Sequence, residues 1–520
     1  LRRTNRSDLR IVDAFGTALL SLGLSGGRIA IIGENRYEWG VSYLGVVNGT
    51  GVVVPLDREI PQSELRGLVQ RAQVDAIIFS AAKARDVLSL RDDLKPGCHL
   101  ISMDQSEDAD GILSWRGLLE LGKRRMLEGD RAFLDATIDP EVMQILLFTS
   151  GTTDKSKAVM LSHHNICSDL MDMCAMLYID EKDVFLSVLP LHHTYECTCG
   201  FLCQVYRGCT IAYCEGLRHI IKNMKEAQVT MMNCVPLILE SMYHRIWDQA
   251  AKDPALLKKL KPGLRISNAL RVVGIDVRRK LFAKVHENFG GHLRMMISGG
   301  APIDPIVIKG LQDLGIACVQ GYGLTECSPI IALNRNCDFK NDAAGLPVPH
   351  AQIKIDAPDA SGVGEIIARG PNVMLGYYEN EEATAACMID GWFHTGALGF
   401  IDKDGFIHIT GRKKNVIVTK NGKNIYPEEI EYLLARSPLV KECVIYGRPT
   451  EDATELEVAA DIFPDHEKMA EHLGEANPTA DGVYAAIDEV VRSVNKQLTP
   501  YKYIRYFTIR EEEFEKTTTK

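Results

Sequence analysis

The sequence predicts an α/β protein whose sheets are largely parallel and covered on both faces, and three observations lead there. Short β-branched or apolar runs alternate with helical patterns through the first four hundred residues, the order that builds α/β folds. These runs are continuously apolar rather than alternating with polar residues, as in strands buried from both sides. The length of 520 residues exceeds what one hydrophobic core serves, so two or more domains are expected.

Taken in order, the chain opens at Leu1 in an amphipathic helical pattern, so its true N-terminus is expected to lie further upstream. "RIAIIG" at 28–33, "GVVVPL" at 51–56 and "VDAIIFS" at 74–80 read as the first strands. Residues 217–289 are rich in helical pattern, with "LILESMYHRIWDQAAK" as an amphipathic stretch, and "LRMMISGG" at 293–300 returns to a strand. After Gly411 the texture becomes basic and turn-containing, "GRKKNVIVTKNGKNIYPEEIEYLLA", followed by about a hundred residues that read β-α-β-α-β. A domain boundary at 412–414 divides the chain into residues 1–411 and 412–520. No internal repeat or low-complexity segment interrupts this order.

Composition narrows the function. Hydrophobic residues make up 46% and charged residues 25% of the chain, and no apolar run approaches the roughly 18 residues of a membrane span. A soluble protein follows, with peripheral membrane contact left open. The net charge of −10 argues against nucleic acid as a partner, because a polyanion calls for a basic patch. Fourteen cysteines without repeating spacing suit a reducing cytoplasm rather than a disulfide framework. Cys197, Cys199 and Cys203 form the densest group. They lack paired CxxC spacing and a histidine at zinc-like distance, so buried structural thiols are expected there.

The strongest local signal is "ILLFTSGTTDKSKAVMLSHHN" at 145–165. An apolar strand runs into Thr149, Ser150, Gly151, Thr152 and Thr153, then a lysine pair ending at Lys157, then a second apolar run. Small hydroxyl residues around a glycine let backbone N–H and side-chain O–H groups converge on phosphate oxygens, and Lys157 adds a point charge. This is not the GxxxxGK[ST] loop, since the second glycine is missing and a strand rather than a helix follows. On the residues alone a phosphate cradle and a plain polar hairpin fit equally well.

The segment resembles the phosphate-binding loop, usually TSGTTGxPKG, of the adenylate-forming superfamily that includes acyl-CoA synthetases, luciferases and peptide-synthetase adenylation domains. "LPLHH" at 189–193, "SGGAPI" at 298–303, "GYGLTE" at 321–326, "GEIIARGPNVMLGYY" at 364–378, "GWFHTG" at 391–396 and "GRKKNVIVTKNGKNIYPEEIE" at 411–431 resemble further family motifs in the same order. The helix-rich insertion before "SGGAPI" is similar to the long-chain fatty-acid branch. The resemblance implies a large N-terminal domain of two α/β subdomains and a small β-barrel, followed by a small mobile α+β lid. It also implies ATP, magnesium and coenzyme A as cofactors, with a fatty acid as the substrate activated through an acyl-AMP intermediate.

Roles follow only where residues match. The resemblance implies that Thr325 contacts the α-phosphate and that Glu326 holds magnesium through a hard carboxylate oxygen. Tyr322 and Gly323 belong to the same nucleotide loop, with Tyr322 stacking on adenine, and the backbone of Gly299, Gly300 and Ala301 lines the base pocket. Arg412 reaches the ribose, and Lys414 takes the hinge position between domains. His193 aligns with a histidine beside the acyl channel, where it orients a carboxylate or gates the tunnel; a satisfied structural histidine is the competing reading. "LHHTYECTCGFLCQ" has no aspartate to pair with a substrate amine, which favours an acid with an apolar tail.

Three departures stand out. Asp154, Ser156 and Ala158 replace glycine, proline and glycine in the phosphate loop, and a carboxylate there repels a triphosphate. The aspartate that follows "HTG" in the family is Ala397. The closing "EKTTTK" resembles the start of PKTxxGK, which puts the catalytic lysine one residue past Lys520. Alternatives carried forward are an acyl carrier protein as acceptor and, because of Ala397, a degenerate nucleotide-binding module.

Overall fold

A computed structural model of the protein describes residues 5–149, 157–252, 254–418, 423–450 and 456–514. The chain forms two compact units, one of residues 1–353, 368–393 and 405–407, the other of 354–367, 394–404 and 408–520.

The first unit holds two large sheets. One contains β1 (Gly27–Ile32), β2 (Gly51–Leu56), β3 (Ala76–Phe79), β4 (His99–Ser102), β5 (Ile112–Ser114), β6 (Met143–Thr149) and β7 (Lys157–Ser162). Its order is β7-β6-β2-β1-β3-β4-β5, and the short strand Gly376–Tyr377 sits beyond β7. β1 to β6 pair in parallel where they meet, whereas β6 and β7 form an antiparallel hairpin with Thr149 opposite Lys157. The apolar runs of the sequence are these strands, and Ala30, Ile32, Val54, Leu56, Ile77 and Phe79 form their core with side chains essentially out of solvent.

The second sheet contains β8 (Val184–Ser187), β9 (Thr210–Tyr213), β10 (Met231–Cys234), β11 (Met295–Ser298), β12 (Ala317–Gly323), β13 (Ile330–Leu333) and β14 (Leu346–Pro347), in the order β14-β13-β12-β11-β10-β8-β9. β9, β8, β10, β11 and β12 are parallel. From β8 the chain goes to β9 on one side and returns to β10 on the other, so the crevice between β8 and β10 is a topological switch point, where ligands of open α/β sheets bind at the carboxyl ends of the strands. The predicted helix-rich region is Pro236–Lys252 and Pro254–Val272, interrupted upstream by β10.

The second unit is built around the strands Gln352–Asp356, Gly364–Arg369, Trp392–Ile401 and Ile407–Arg412. It continues into a three-stranded sheet of Val440–Pro449, Leu456–Pro464 and Ile504–Ile509. Helices Pro427–Ala435, His466–Leu473 and Ala480–Asn495 complete it. The C-terminal order is therefore not β-α-β-α-β: Val440–Pro449 and Leu456–Pro464 pair directly as antiparallel neighbours. The six residues between them are too few for the crossover a parallel pair needs.

Candidate active site

Local structure brings several predicted residues of the first unit together. The β6–β7 hairpin places Thr149 beside Lys157, with the Thr149 hydroxyl donating to the Lys157 carbonyl at 3.3 Å. Ser150, Gly151, Thr152 and Thr153, like Asp154 and Ser156, lie outside the described residues. β7 ends at Ser162, whose hydroxyl accepts from the Asn165 N–H while the Asn165 side chain accepts from the Ser162 N–H, a capping box that starts the helix His163–Met176. The same Asn165 amide donates to the carbonyls of Pro371 and Val373. Asn372 donates to Cys327 and Ile330, and the Met374 N–H donates to the Glu326 carbonyl at 2.8 Å. Residues 371–374 are thereby stitched to the loop that carries Glu326.

This stitching delivers a residue to which the motif reading gave no role. The Tyr377 hydroxyl donates to Glu326 Oε1 at 2.8 Å, and the Lys157 ammonium stands 4.6 Å from the centre of the Tyr377 ring. Burial, followed by the neighbouring Glu326 carboxylate, pushes the Tyr377 phenol well above its ordinary range, so it stays a donor. Lys157, Tyr377 and Glu326 thus form a continuous array: a cation, an aromatic ring and a carboxylate held in one orientation. Glu326 presents hard oxygen donors of the kind magnesium takes. The sequence signal for Tyr377 was present inside "MLGYY", but nothing in the sequence tells which tyrosine turns toward Glu326.

Thr325 and Glu326 start the turn that follows β12. The Thr194 hydroxyl lies 3.4 Å from that of Thr325, joining this loop to the one after β8. Gly299 and Gly300 follow β11, and Ala301 comes next; Tyr322 and Gly323 end β12, whose Gln320 is registered with Ser298 of β11. Gly299, Gly300 and the "GYGLTE" loop therefore emerge from adjacent strand ends. Tyr195 donates to the Ile297 carbonyl at 2.8 Å, and a Cβ at Gly299 would come within 2.9 Å of the Tyr195 ring. Only glycine permits that approach.

The His192 and His193 rings lie with centres 4.2 Å apart, tilted 41° to one another. Burial, then the neighbouring ring, pushes His192 down to about 3, and burial lowers His193 as well, so both imidazoles are neutral near neutral pH. His192 Nε2 faces Asp57 Oδ2 at 3.6 Å. The motif itself has no aspartate, yet the chain supplies this carboxylate from the far end of β2. Beside these rings lies a small, largely apolar pocket lined by Tyr43, Pro55, Ile145, Leu147, Ile166 and His192. Cys197, Cys199 and Cys203 are buried free thiols, in keeping with the structural reading.

In the second unit, buried Glu365 accepts from His394 Nδ1 at 3.1 Å, the Gly396 N–H at 3.0 Å and Lys413 Nζ at 2.8 Å. Burial opposes ionisation, but these donors together hold the carboxyl below its usual range. Asp356, Glu365 and His394 bring donor atoms within 4.8 Å of one another, although the Lys413 ammonium already neutralises Glu365. Ala397 is buried in this strand, its N–H donating to Thr395 Oγ1 at 3.1 Å. Arg412 and Lys414 are exposed. The Arg412 backbone N–H donates to Glu428 Oε1 at 3.3 Å, which fixes the start of the turn Lys413–Asn415.

Comparison with known proteins places these geometries in context. The AMP-binding enzyme family matches residues 7–378. A long-chain-fatty-acid–CoA ligase 1 from Cavia porcellus is 30% identical over 499 residues, covering 88% of this chain and 69% of that protein. The long-chain-fatty-acid–CoA ligase FadD15 of Mycobacterium bovis is 27% identical over 538 residues, covering 98% of this chain and 86% of that protein. Among solved structures, an anthranilate CoA ligase in complex with anthranoyl-AMP superposes with a TM-score of 0.76 at 19% identity, over 99% of this chain and 89% of that one; this likeness speaks to fold.

Proposed function

Because the chain belongs to the AMP-binding enzyme family and groups there with the adenylate-forming CoA ligases, we propose that its acid is a long-chain fatty acid and its acceptor coenzyme A. A carboxylate is a poor electrophile, so its oxygen attacks the α-phosphorus of ATP, pyrophosphate leaves, and acyl-AMP forms. The coenzyme A thiol then attacks the acyl carbon and AMP leaves.

The observation that carries this reading is the Lys157–Tyr377–Glu326 array, set on the hairpin and loop whose sequences match the family motifs. Glu326 would hold magnesium, whose positive charge offsets the charge that develops on the phosphates. Thr149, Ser150, Gly151, Thr152 and Thr153 would supply donors to the phosphate oxygens, and Lys157 a fixed cation. Thr325 would meet the α-phosphate, Tyr322 and Gly323 the adenine face, and Gly299, Gly300 and Ala301 the base edge. His193, held neutral by burial, would orient the acid. Arg412 would bind the ribose. We take residues 412–520 as a lid turning at Lys414, which serves both half-reactions in succession. The long-chain assignment rests on the names of the relatives. No described helix is long and apolar enough to cross a membrane, and a cytoplasmic setting remains part of this proposal.

The test is acid-dependent pyrophosphate release across saturated acids of increasing length, followed by thioester formation with coenzyme A. Release peaking with long chains supports the reading, and release with short or aromatic acids alone overturns it. Ala397 favours a second reading, weak or degenerate nucleotide binding. A charge-assisted hydrogen bond contributes roughly 1.5–3 kcal/mol, or about ten- to hundredfold in affinity. Ala397→Asp is therefore expected to tighten ATP binding in calorimetric titration. Unchanged or weaker binding would show that the ribose is satisfied otherwise.

A further inference from the structure

Glu196 is an anomaly that the reaction as described does not use. It lies in the π-helix Tyr195–Leu202, entirely out of solvent. That helix opens the connection from β8 to β9, so Glu196 stands at the switch-point crevice between β8 and β10. The side chains of Ser187, at the end of β8, and Asn233, near the end of β10, lie against its carboxyl together with the Val188 N–H. Neither carboxyl oxygen completes a hydrogen bond of ordinary geometry among the described residues, and neither do Asn233 Nδ2 and Oδ1 or Ser298 Oγ. Gly200 packs so closely that a Cβ there would come within 2.6 Å of the Glu196 carboxyl carbon. The ionisable groups that feel Glu196 are Tyr195, Cys197 and Cys199 on its own helix and Cys234 on β10. None of these is a cation.

An ionised carboxylate buried without a cation is among the costliest arrangements a fold can hold, whereas a neutral carboxylic acid brings both a donor and an acceptor. We infer that Glu196 works as a neutral, hydrogen-donating acid, a positioning residue that locks the segment His192–Tyr195 onto the carboxyl ends of β8, β10 and β11. Its neighbours show what is locked. Ser187 Oγ and the Leu189 carbonyl are held by Asn35 at 3.0 and 2.6 Å, and the Leu191 N–H by the same side chain at 3.0 Å. Thr194 meets Thr325, and Tyr195 is pinned to β11 and backs Gly299. Burial, partly offset by Ser187 and Asn233, raises the carboxyl to about 8, which agrees with the geometry. Ionisation above that value would push a charge into the crevice and loosen the segment that carries His193 and Thr194.

This inference rests on the proposed adenylation, so the experiment pairs an activity readout with one that needs no substrate. Glu196→Gln, Glu196→Leu and the unaltered chain are compared for pyrophosphate release from about pH 6 to about pH 9.5. Infrared difference spectra record the band of a protonated carboxyl over the same range. In the unaltered chain kcat is expected to fall about tenfold between about pH 7 and pH 9, as a single ionisation dictates, with little change in the KM for ATP. Glu196→Gln, neutral at every pH and still a donor, should keep the rate at pH 7 and lose that alkaline limb. Glu196→Leu should be at least about tenfold slower throughout. Relative to Glu196→Gln, the unaltered chain should show one additional protonated-carboxyl band at pH 7 that fades above pH 8; buried Asp169, also pushed up by burial, contributes equally to both. An alkaline limb unchanged in Glu196→Gln, or a Gln variant as slow as Leu, overturns the inference, as does the absence of the band. Should no acid yield pyrophosphate with any form while the band behaves as stated, the adenylation reading fails and the neutral acid stands.

Discussion

The two ends of the second sheet of the first unit are built to opposite rules. At the amino ends of β8, β10 and β11, Asp183, Thr230 and Arg294 sit one residue ahead of the three strands. Arg294 donates twice to Asp183, Nε to Oδ1 at 2.8 Å and Nη2 to Oδ2 at 2.5 Å, and the Thr230 hydroxyl adds a third bond at 2.7 Å. At the carboxyl ends of the same strands, Glu196, Asn233 and Ser298 hold buried polar atoms without partners among the described residues. Buried polar atoms normally find partners, so unpaired atoms gathered at one end of the strands and not in the matching cluster at the other mark a difference between the two ends. The amino end holds strands together through a charged pair; the carboxyl end holds, around a neutral acid, the loops that carry the proposed site.

Breaking the amino end should have the largest effect. Asp183→Ala leaves the Arg294 guanidinium without its carboxylate; breaking a fully buried pair typically costs about 3–5 kcal/mol, and because the Arg294 side chain keeps 30% of its exposure the low end of that range is expected. Denaturant unfolding should show that loss at neutral pH. The pH dependence has a definite sign. Burial opposes ionisation of Asp183, yet Arg294, the Asp180 N–H and Thr230 hold its carboxyl below the usual range. Its contribution is therefore present above the unfolded value near 4 and disappears as pH falls through the lower folded value. The difference between the two proteins should shrink in strong acid, and a difference constant down to pH 2 would remove Asp183 from this role.

The next effect belongs to the other side of the comparison and should leave stability nearly untouched. Glu326→Gln keeps shape but removes the charge that the proposed function gives to magnesium. Pyrophosphate release is expected to fall roughly a hundredfold or more, the scale seen when one electrostatic contact at a developing charge is lost. Its unfolding midpoint should stay close to that of the unaltered protein. Unchanged magnesium dependence in this variant would take Glu326 out of the site.

The comparison also explains what could be read from the sequence. Strands such as "RIAIIG" and "GVVVPL" were legible because burial on both faces writes a continuous apolar run, and the loops "GYGLTE" and "SGGAPI" through their resemblance to family motifs. Pairings across the chain were not legible. Asp57 meets His192 and Asn35 meets Ser187 only because β1, β2 and β8 end near one another, and no local pattern records that. Glu196 carried a weak signal, a carboxylate inside the otherwise apolar or small "YECTCGFL". A π-helix displaces the 3.6-residue period, so its inward direction could not be taken from spacing. The hairpin Val440–Pro449 and Leu456–Pro464 was readable from its short connection, and expecting a helix between strands was a misjudged period rather than missing information.

The smallest expected effect sharpens the comparison most. Tyr377→Phe removes one hydroxyl, the donor to Glu326 Oε1, while leaving the ring that the Lys157 ammonium faces. A net hydrogen bond contributes on the order of 1 kcal/mol, so adenylation should slow by about fivefold, because Glu326 loses an orienting contact rather than its charge. The ring contact, a further ~0.5–1 kcal/mol, survives in Phe and is lost in Tyr377→Leu, which should therefore be slower again. If Tyr377, which reaches the Glu326 loop from the edge of the first sheet, serves the site rather than the fold, both variants should unfold at nearly the same denaturant concentration as the unaltered chain while their rates separate. Parallel losses of rate and stability in Tyr377→Phe would mean that this bond is scaffolding.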